Sequence, residues 1–309
     1  MGDMLKDKVA IVTGSGRGIG RGIALLFGAE GAKVVVNDLG GAVDGTGTAT
    51  SPADEVVSEI KNAGGTAVAN YDSVSTMDGG ENIVKTAVDN YGKLDIVVTP
   101  AGILRDRMIF NLTEEEWDAV IAVHLKGTFT VSKFASILFR QQRSGCLITF
   151  SSTSGLYGNS GQANYGAAKD GIAGFTRCFA RDMGRYGARA NSISPGADSR
   201  MTATVPDSAR QIRAASGIQS ASGPQPLQLQ REPEDIAPFV TWLASDNAND
   251  VNGYVFHCQG GQVSLMNNPE PVRTIHTQGR WTVEEIAAMF PGTLGMDMVN
   301  PAPMQAPRQ

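Results

Sequence analysis

At 309 residues with 41% apolar content, the chain is long enough for one large α/β domain or two small ones. Its net charge of -5 argues against nucleic acid or an anionic membrane as the main partner, and no apolar run approaches the ~18 residues of a spanning helix. Cys146, Cys178 and Cys258 are far apart, odd in number and set in apolar patterns, so they read as reduced core residues, with neither a disulfide nor a metal site. The opening MGDMLKDKVAIV lacks the form of a signal peptide and the ending Pro307-Arg308-Gln309 is not a peroxisomal address, so the expected location is the cytoplasm.

Lys8 to Thr13 is a short apolar strand that runs into Gly14-Ser15-Gly16-Arg17-Gly18-Ile19-Gly20. A helix follows with Ile19, Ile23, Leu26 and Phe27 on one face, and then a second strand from Lys33 to Asp38. Glycines at the first turn of such a βαβ unit let the backbone approach a pyrophosphate, and the helix N-terminus adds amides and positive dipole. Asp38, ending the second strand, is the acid expected to accept from the adenosine ribose hydroxyls and to repel a 2′-phosphate. Arg17 pulls towards such a phosphate, but a carboxylate facing one is the costlier arrangement. NAD is therefore expected over NADP.

Leu39 to Pro52 is a Gly/Thr-rich loop longer than the usual connection. Helix Ala53 to Asn62, strand Thr66 to Tyr71, helix Asp78 to Tyr91 and strand Leu94 to Thr99 follow. Asp72, with Ser73 after it, would sit beside the adenine, and the small pair Ala101-Gly102 would let a cofactor lie close to the backbone. Thr113-Glu114-Glu115-Glu116 starts a capped helix running through Trp117 and His124 towards Leu138. Gly145 to Phe150 is a buried fifth strand, and Arg189 to Pro195-Gly196 a sixth. Residues 197–231 have the composition of a lid over a site. Helix Pro233 to Ala244 and a seventh strand, Gly253 to Gly261, complete the rhythm of a doubly wound parallel sheet in one domain, 1–262. The extension 263–309 carries one short amphipathic helix, Trp281 to Phe290, expected to pack on the core or on a neighbouring subunit.

The segment SSTSGLYGNSGQANYGAAKDGIAGF concentrates the chemistry. Tyr165 and Lys169 stand four residues apart and share a helix face. Ser152 ends the fifth strand, so hydroxyl, phenol and ammonium converge at the carboxyl edge of the sheet, where open α/β folds bind ligands. A free phenol has a pKa near ~10; a nearby ammonium is expected to lower it, so that Tyr165 exchanges a proton with an alcohol or carbonyl near neutral pH.

With the glycine turn, Ser152, Tyr165 thirteen residues later, Lys169 and Pro195-Gly196 in order, residues 5 to 262 resemble the short-chain dehydrogenase/reductase family. The resemblance implies a seven-stranded Rossmann fold with Ser152, Tyr165 and Lys169 as the catalytic set, Lys169 also holding the nicotinamide ribose. VVVNDLGG, AVANYDSV, GILRDRM, WDAVIAVHLKGTF, SGLYGNSGQANYGAAK and SRMT look like the (3R)-hydroxyacyl-CoA dehydrogenase module of multifunctional β-oxidation enzymes, also described as acting on 17β-hydroxysteroids, and like actinobacterial relatives. The implied reaction is oxidation of a 3-hydroxyacyl-CoA by NAD+, in a homo-oligomer. Arg105, Arg107, Arg200 and Arg213 are candidates for the CoA phosphates.

Two positions depart from the family pattern. Its Asn-Asn-Ala-Gly turn is Thr99-Pro100-Ala101-Gly102, in which Pro100 has no N–H and Thr99 replaces a two-sided hydrogen-bonding side chain. Its tetrad asparagine falls on His124, expected to be a packed helix histidine whose backbone carbonyl serves the relay; acid/base work by the ring is the alternative. A 3-oxoacyl reductase or steroid dehydrogenase is the competing enzyme reading, and a dinucleotide-sensing regulator the competing non-enzyme one.

Overall fold

The computed structural model describes residues 2–197 and 231–302. Packing divides the chain into two compact units, of which the first is Met1–Pro206 with Ala221–Met266. Its strands are β1 (Val9–Thr13), β2 (Lys33–Asn37), β3 (Thr66–Asn70), β4 (Ile96–Thr99), β5 (Gly145–Phe150), β6 (Ala188–Pro195), β7 (Val255–Gln259) and β8 (Gln262–Met266). They form one sheet in the order β3-β2-β1-β4-β5-β6-β7-β8. β1 to β7 pair in parallel, with register such as Ile11 opposite Val35 and Val97. The order reverses between β1 and β4, which makes their carboxyl ends the natural crevice for a ligand.

Strand alternation sorts β1 into two cores. Ala10 and Val12 pack with Ile23 and Phe27 of α1 (Gly18–Ala29), Val56 and Ile60 of α2 (Ser51–Asn62) and other buried residues on one face. Val9 and Ile11 pack with Ile83 of α3 (Met77–Tyr91) and further helix residues on the other. Each fully buried side chain of this size contributes roughly 1.5–3 kcal/mol by leaving water. That two-sided burial is why the strands read as continuous apolar runs.

The expected seven-stranded parallel sheet is corrected to eight strands, the last antiparallel. Gly260-Gly261 makes a two-residue turn, with Gly260 at φ +49°, and returns β8 along β7 with Gln259 opposite Gln262. The single helix expected from Thr113 to Leu138 is also corrected. It comprises α4 (Glu114–Ile121), a π-helical stretch Ala122–Lys126 and α5 (Gly127–Gln142). Thr113 and Glu116 form a reciprocal capping box at its start. Then come α6 (Thr153–Leu156), the 22-residue α7 (Ala163–Gly184) and α8 (Ala237–Ala244).

In the second unit, the described residues contain α9 (Val283–Met289), within the expected amphipathic segment and capped by Thr282 and Glu285. Arg273 donates to the Met296 carbonyl, and Gly295 N–H donates to Phe290 O at 2.8 Å. The lid expected at 197–231 falls, except for its two end residues, outside the described residues, as do Arg200 and Arg213. Among the described residues no helix is long and apolar enough to cross a membrane. All three cysteines are free; Cys146 and Cys258 are buried as expected, whereas Cys178 faces outward from α7.

Candidate functional site

The glycine turn lies between β1 and α1. Gly14 (φ +58°) and Gly18 (φ +56°) adopt backbone that favours glycine. A Cβ on Gly14 would come within 2.6 Å of Ala101 Cα, whereas the space beside Gly18 is open. A Cβ on Gly20 would strike Gly14 O at 2.3 Å, so the helix that begins with Gly18-Ile19-Gly20 rests directly on the turn. Asp38 Oδ2 accepts from Gly16 N–H at 2.7 Å, and its Oδ1 accepts from Gly40 N–H at 2.6 Å. Arg17 is exposed, and its side chain donates to the Gly41 carbonyl at 3.4 Å.

Asp72 is held by side chains that sequence reading left aside. Asn70 Nδ2 donates to Asp72 Oδ2 (2.8 Å) and Asn82 Nδ2 to Oδ1 (3.2 Å), while Asn37 Nδ2 donates to the Asp72 carbonyl (2.9 Å). The neighbouring Ser73 hydroxyl pairs with that of Ser75 at 2.8 Å. At the turn after β4, Ala101 N–H donates to Thr13 Oγ1 at 3.3 Å. Thr99 Oγ1, at the end of β4, and Ser194 Oγ, next to the last residue of β6, are buried without a hydrogen-bond partner among the described residues. Pro195 ends β6, and Gly196 N–H donates to Cys258 O at 2.8 Å. A dinucleotide fits this set: open backbone at Gly18, a carboxylate at the second strand, and unpaired hydroxyls at the sheet edge.

Ser152, Tyr165 and Lys169 are brought together as expected. Ser152 caps α6, its Oγ accepting from Ser154 N–H at 3.2 Å. Tyr165 is half-buried and Lys169 is 4% exposed. Lys169 Nζ lies 5.5 Å from the Tyr165 ring centroid and donates to Phe150 O at 2.7 Å. The expected lowering of the phenol is corrected. Burial pushes Tyr165 up to about 12; the Ser152 hydroxyl works against this and the Asp106 carboxylate adds to it. Burial also brings Lys169 down to about 7. The low-dielectric setting that joins the two groups disfavours both charges, and the ammonium spends one N–H on a strand carbonyl.

His124 sits in the π-helical stretch, 1% exposed. Its Nε2 is 2.7 Å from the Ile103 carbonyl and 3.0 Å from the Ile103 N–H, while Nδ1 has no partner among the described residues. The ring stands edge-on to Tyr165, centroids 5.1 Å apart. Burial, then the Lys169 charge, bring its pKa down to about 3. It is therefore neutral at ordinary pH, in keeping with a packed histidine. Gly102 lies under the ring: a Cβ there would be 2.2 Å from His124 Cε1.

Of the arginines named for CoA phosphates, the two among the described residues are engaged elsewhere. Arg107 forks onto Glu116, with contacts of 2.8, 2.8 and 2.6 Å. Arg105 Nε donates to the Asp44 carbonyl at 3.0 Å. The buried amides of Gln162 and Asn164, ahead of Tyr165, also bind into the loop after β4. Their signal in the sequence is two amide side chains within the three residues before the tyrosine.

A protein-family profile described as Enoyl-(Acyl carrier protein) reductase matches residues 14–262. The hydroxyacyl-CoA dehydrogenase ChsB1 of Mycobacterium tuberculosis is 41% identical, over 92% of this chain and 87% of its own. The peroxisomal multifunctional enzyme type 2 of Mus musculus is 43% identical over 84% of this chain; the match spans only 32% of that longer protein. The crystal structure of a short chain dehydrogenase from Mycobacterium avium superposes with a TM-score of 0.79 at 42% identity, covering 94% of this chain and 96% of that one.

Proposed function

The chain belongs to the short-chain dehydrogenase/reductase family, and from that premise we propose that it oxidises the 3-hydroxyl of a (3R)-hydroxyacyl-CoA with NAD+. It is an oxidoreductase acting on CH–OH groups with a nicotinamide dinucleotide. The choice of NAD rests on Asp38, whose carboxylate already spans two backbone amides of the cofactor crevice. The acyl-CoA substrate rests on the similarity to a hydroxyacyl-CoA dehydrogenase over nearly the whole chain. A cytoplasmic location fits the three free cysteines. A homo-oligomer fits the exposed Phe129 and Ile137 along α5.

The observation that carries the mechanism is the convergence of Ser152, Tyr165 and Lys169 at the sheet edge beside the crevice. The glycine turn, Asp38, Asp72 and Lys169 would hold the dinucleotide, which supplies the hydride acceptor when bound. Ser152 donates a hydrogen bond to the substrate oxygen and holds it against the phenol. Tyr165 takes the hydroxyl proton in oxidation and returns it in reduction. With the phenol near 12, Tyr165 is ready to donate at neutral pH and must first lose its proton to act as a base. Lys169 keeps an N–H for the ribose beyond the one spent on Phe150 O, and in its protonated form, below about 7, it also offsets the phenolate charge.

Reduced-nicotinamide absorbance over a panel of (3R)- and (3S)-hydroxyacyl-CoAs and hydroxysteroids, with NAD+ and NADP+, tests this reading. NAD+-dependent turnover of the (3R)-acyl-CoAs, rising with pH above neutral, is expected. Turnover confined to steroids, or to NADP+, would overturn the substrate or the cofactor assignment respectively.

A further inference from the structure

We propose that Asn164 is a positioning residue for Tyr165, a buried amide that sets where the phenol stands relative to Ser152. The proposal rests on Tyr165 as the proton-transfer group. Asn164 is 0% exposed. Its Nδ2 donates to two carbonyls from different elements, Arg105 O at 3.0 Å in the loop after β4 and Glu116 O at 3.2 Å in α4. Its Oδ1 accepts from the Tyr165 backbone N–H at 2.8 Å. Both donors and the oxygen are therefore used.

The Tyr165 amide lies in the first turn of α7, where helix N–H groups have no partner within the helix. The side chain immediately before the tyrosine supplies that partner and fastens the same turn to the loop and to α4. From that loop Ile103 meets the His124 ring, and that ring meets the edge of Tyr165. The phenol is thus held from its backbone side by Asn164 and from its ring side by His124. Gln162 provides a second tie, with Nε2 donating to Asp106 Oδ2 at 2.7 Å and Oε1 accepting from Ser154 Oγ at 2.7 Å, but it does not bond the tyrosine itself. Proton transfer needs heavy atoms within ~2.6–3.2 Å. A shift of ~1 Å in such a group costs about 100-fold in rate.

The test compares Asn164→Ala, Asn164→Asp and Tyr165→Phe with the wild-type chain, using a (3R)-hydroxyacyl-CoA and NAD+. Asn164→Ala should lower kcat by about 10- to 100-fold, with the dinucleotide Kd and the substrate KM within about threefold, because the fully buried amide offers no surface to either ligand. The kinetic pKa of kcat should move, since the phenol changes its distance from Lys169 and Ser152; a fall in the folded fraction alone leaves that pKa in place. Asn164→Asp keeps an acceptor for the Tyr165 N–H but opposes a carboxylate to two carbonyls, and should do at least as much damage. Independently of turnover, the Tyr165 amide hydrogen should exchange about tenfold faster in Asn164→Ala, a local opening that other core amides do not share. Should Asn164→Ala not fold, Asn164→Ser, which reaches fewer of the three partners, carries the same readouts. A wild-type kcat, pH profile and amide exchange in Asn164→Ala would overturn the proposal while an inactive Tyr165→Phe left the mechanism standing. An active Tyr165→Phe would overturn the mechanism itself.

Discussion

Replacing His124 by asparagine should remove an acid-labile part of the stability while leaving most of the turnover. The ring is buried and its pKa falls from 6.5 to about 3 on folding. Between those values the unfolded chain holds a proton that the folded chain does not, so this contribution is complete above pH 6.5 and is lost as pH falls towards 3. At about 1.36 kcal/mol per pKa unit, it amounts to roughly 2 kcal/mol by pH 5 and roughly 5 kcal/mol by pH 3. At pH 7, His124→Asn loses the edge contact with Tyr165 and part of the tie to Ile103, and is expected to be about 1–2 kcal/mol less stable. Urea unfolding of both chains at pH 7 and pH 5 should then show the gap close or reverse, since only the wild type carries the acid penalty. A gap unchanged between the two pH values would refute a buried neutral ring. A thousandfold fall in kcat without loss of fold would instead assign His124 acid/base work.

Gly102→Ala forces a methyl into the His124 ring at 2.2 Å; overpacking of this kind costs about 1–3 kcal/mol, so a lower Tm and a lower kcat are expected together, and an unchanged Tm would show that the ring retreats freely. Asp38→Asn removes the charge proposed to meet the ribose hydroxyls and weakens the bonds from Gly16 and Gly40; the ratio of kcat/KM for NAD+ to that for NADP+ should fall by about tenfold or more, and an unchanged ratio would contradict the role proposed for Asp38. Lys169 falls from 10.5 to about 7 on folding. Between those values the unfolded chain holds the extra proton, so wild-type stability should gain from this group as pH rises through that window. Lys169→Met should lack the gain; equal changes in Tm between pH 7 and 9.5 in both chains would contradict it.

The βαβ unit, the helices and the convergence of Ser152, Tyr165 and Lys169 were legible because each rests on a local pattern: two-sided apolar strands, glycines between strand and helix, and an i,i+4 pair. β8 falls outside the βα rhythm because it returns antiparallel beside β7 with no helix between them. Its signal was present in Gly260-Gly261 followed by Gln262-Val263-Ser264-Leu265-Met266, a hairpin turn before an alternating strand. The break at Ala122–Lys126 leaves no mark in apolar periodicity, since α4 and α5 continue across it. The direction of the Tyr165 shift is not contained in the spacing. Spacing shows that an ammonium is near, but the balance between its charge and the burial of both groups depends on what else surrounds them. The ties made by Asn164 join residues 48 and 59 positions apart, which no local pattern contains.

The most direct test of the account is Tyr165→Phe, measured for NAD+ binding by fluorescence titration and for oxidation of a (3R)-hydroxyacyl-CoA by absorbance. Removing one hydroxyl should leave the dinucleotide Kd within about threefold while kcat falls by about a thousandfold or more. A variant that binds NAD+ and still turns over at a rate near the wild type would contradict Tyr165 as the proton-transfer group, and with it the mechanism built on the Ser152, Tyr165 and Lys169 cluster.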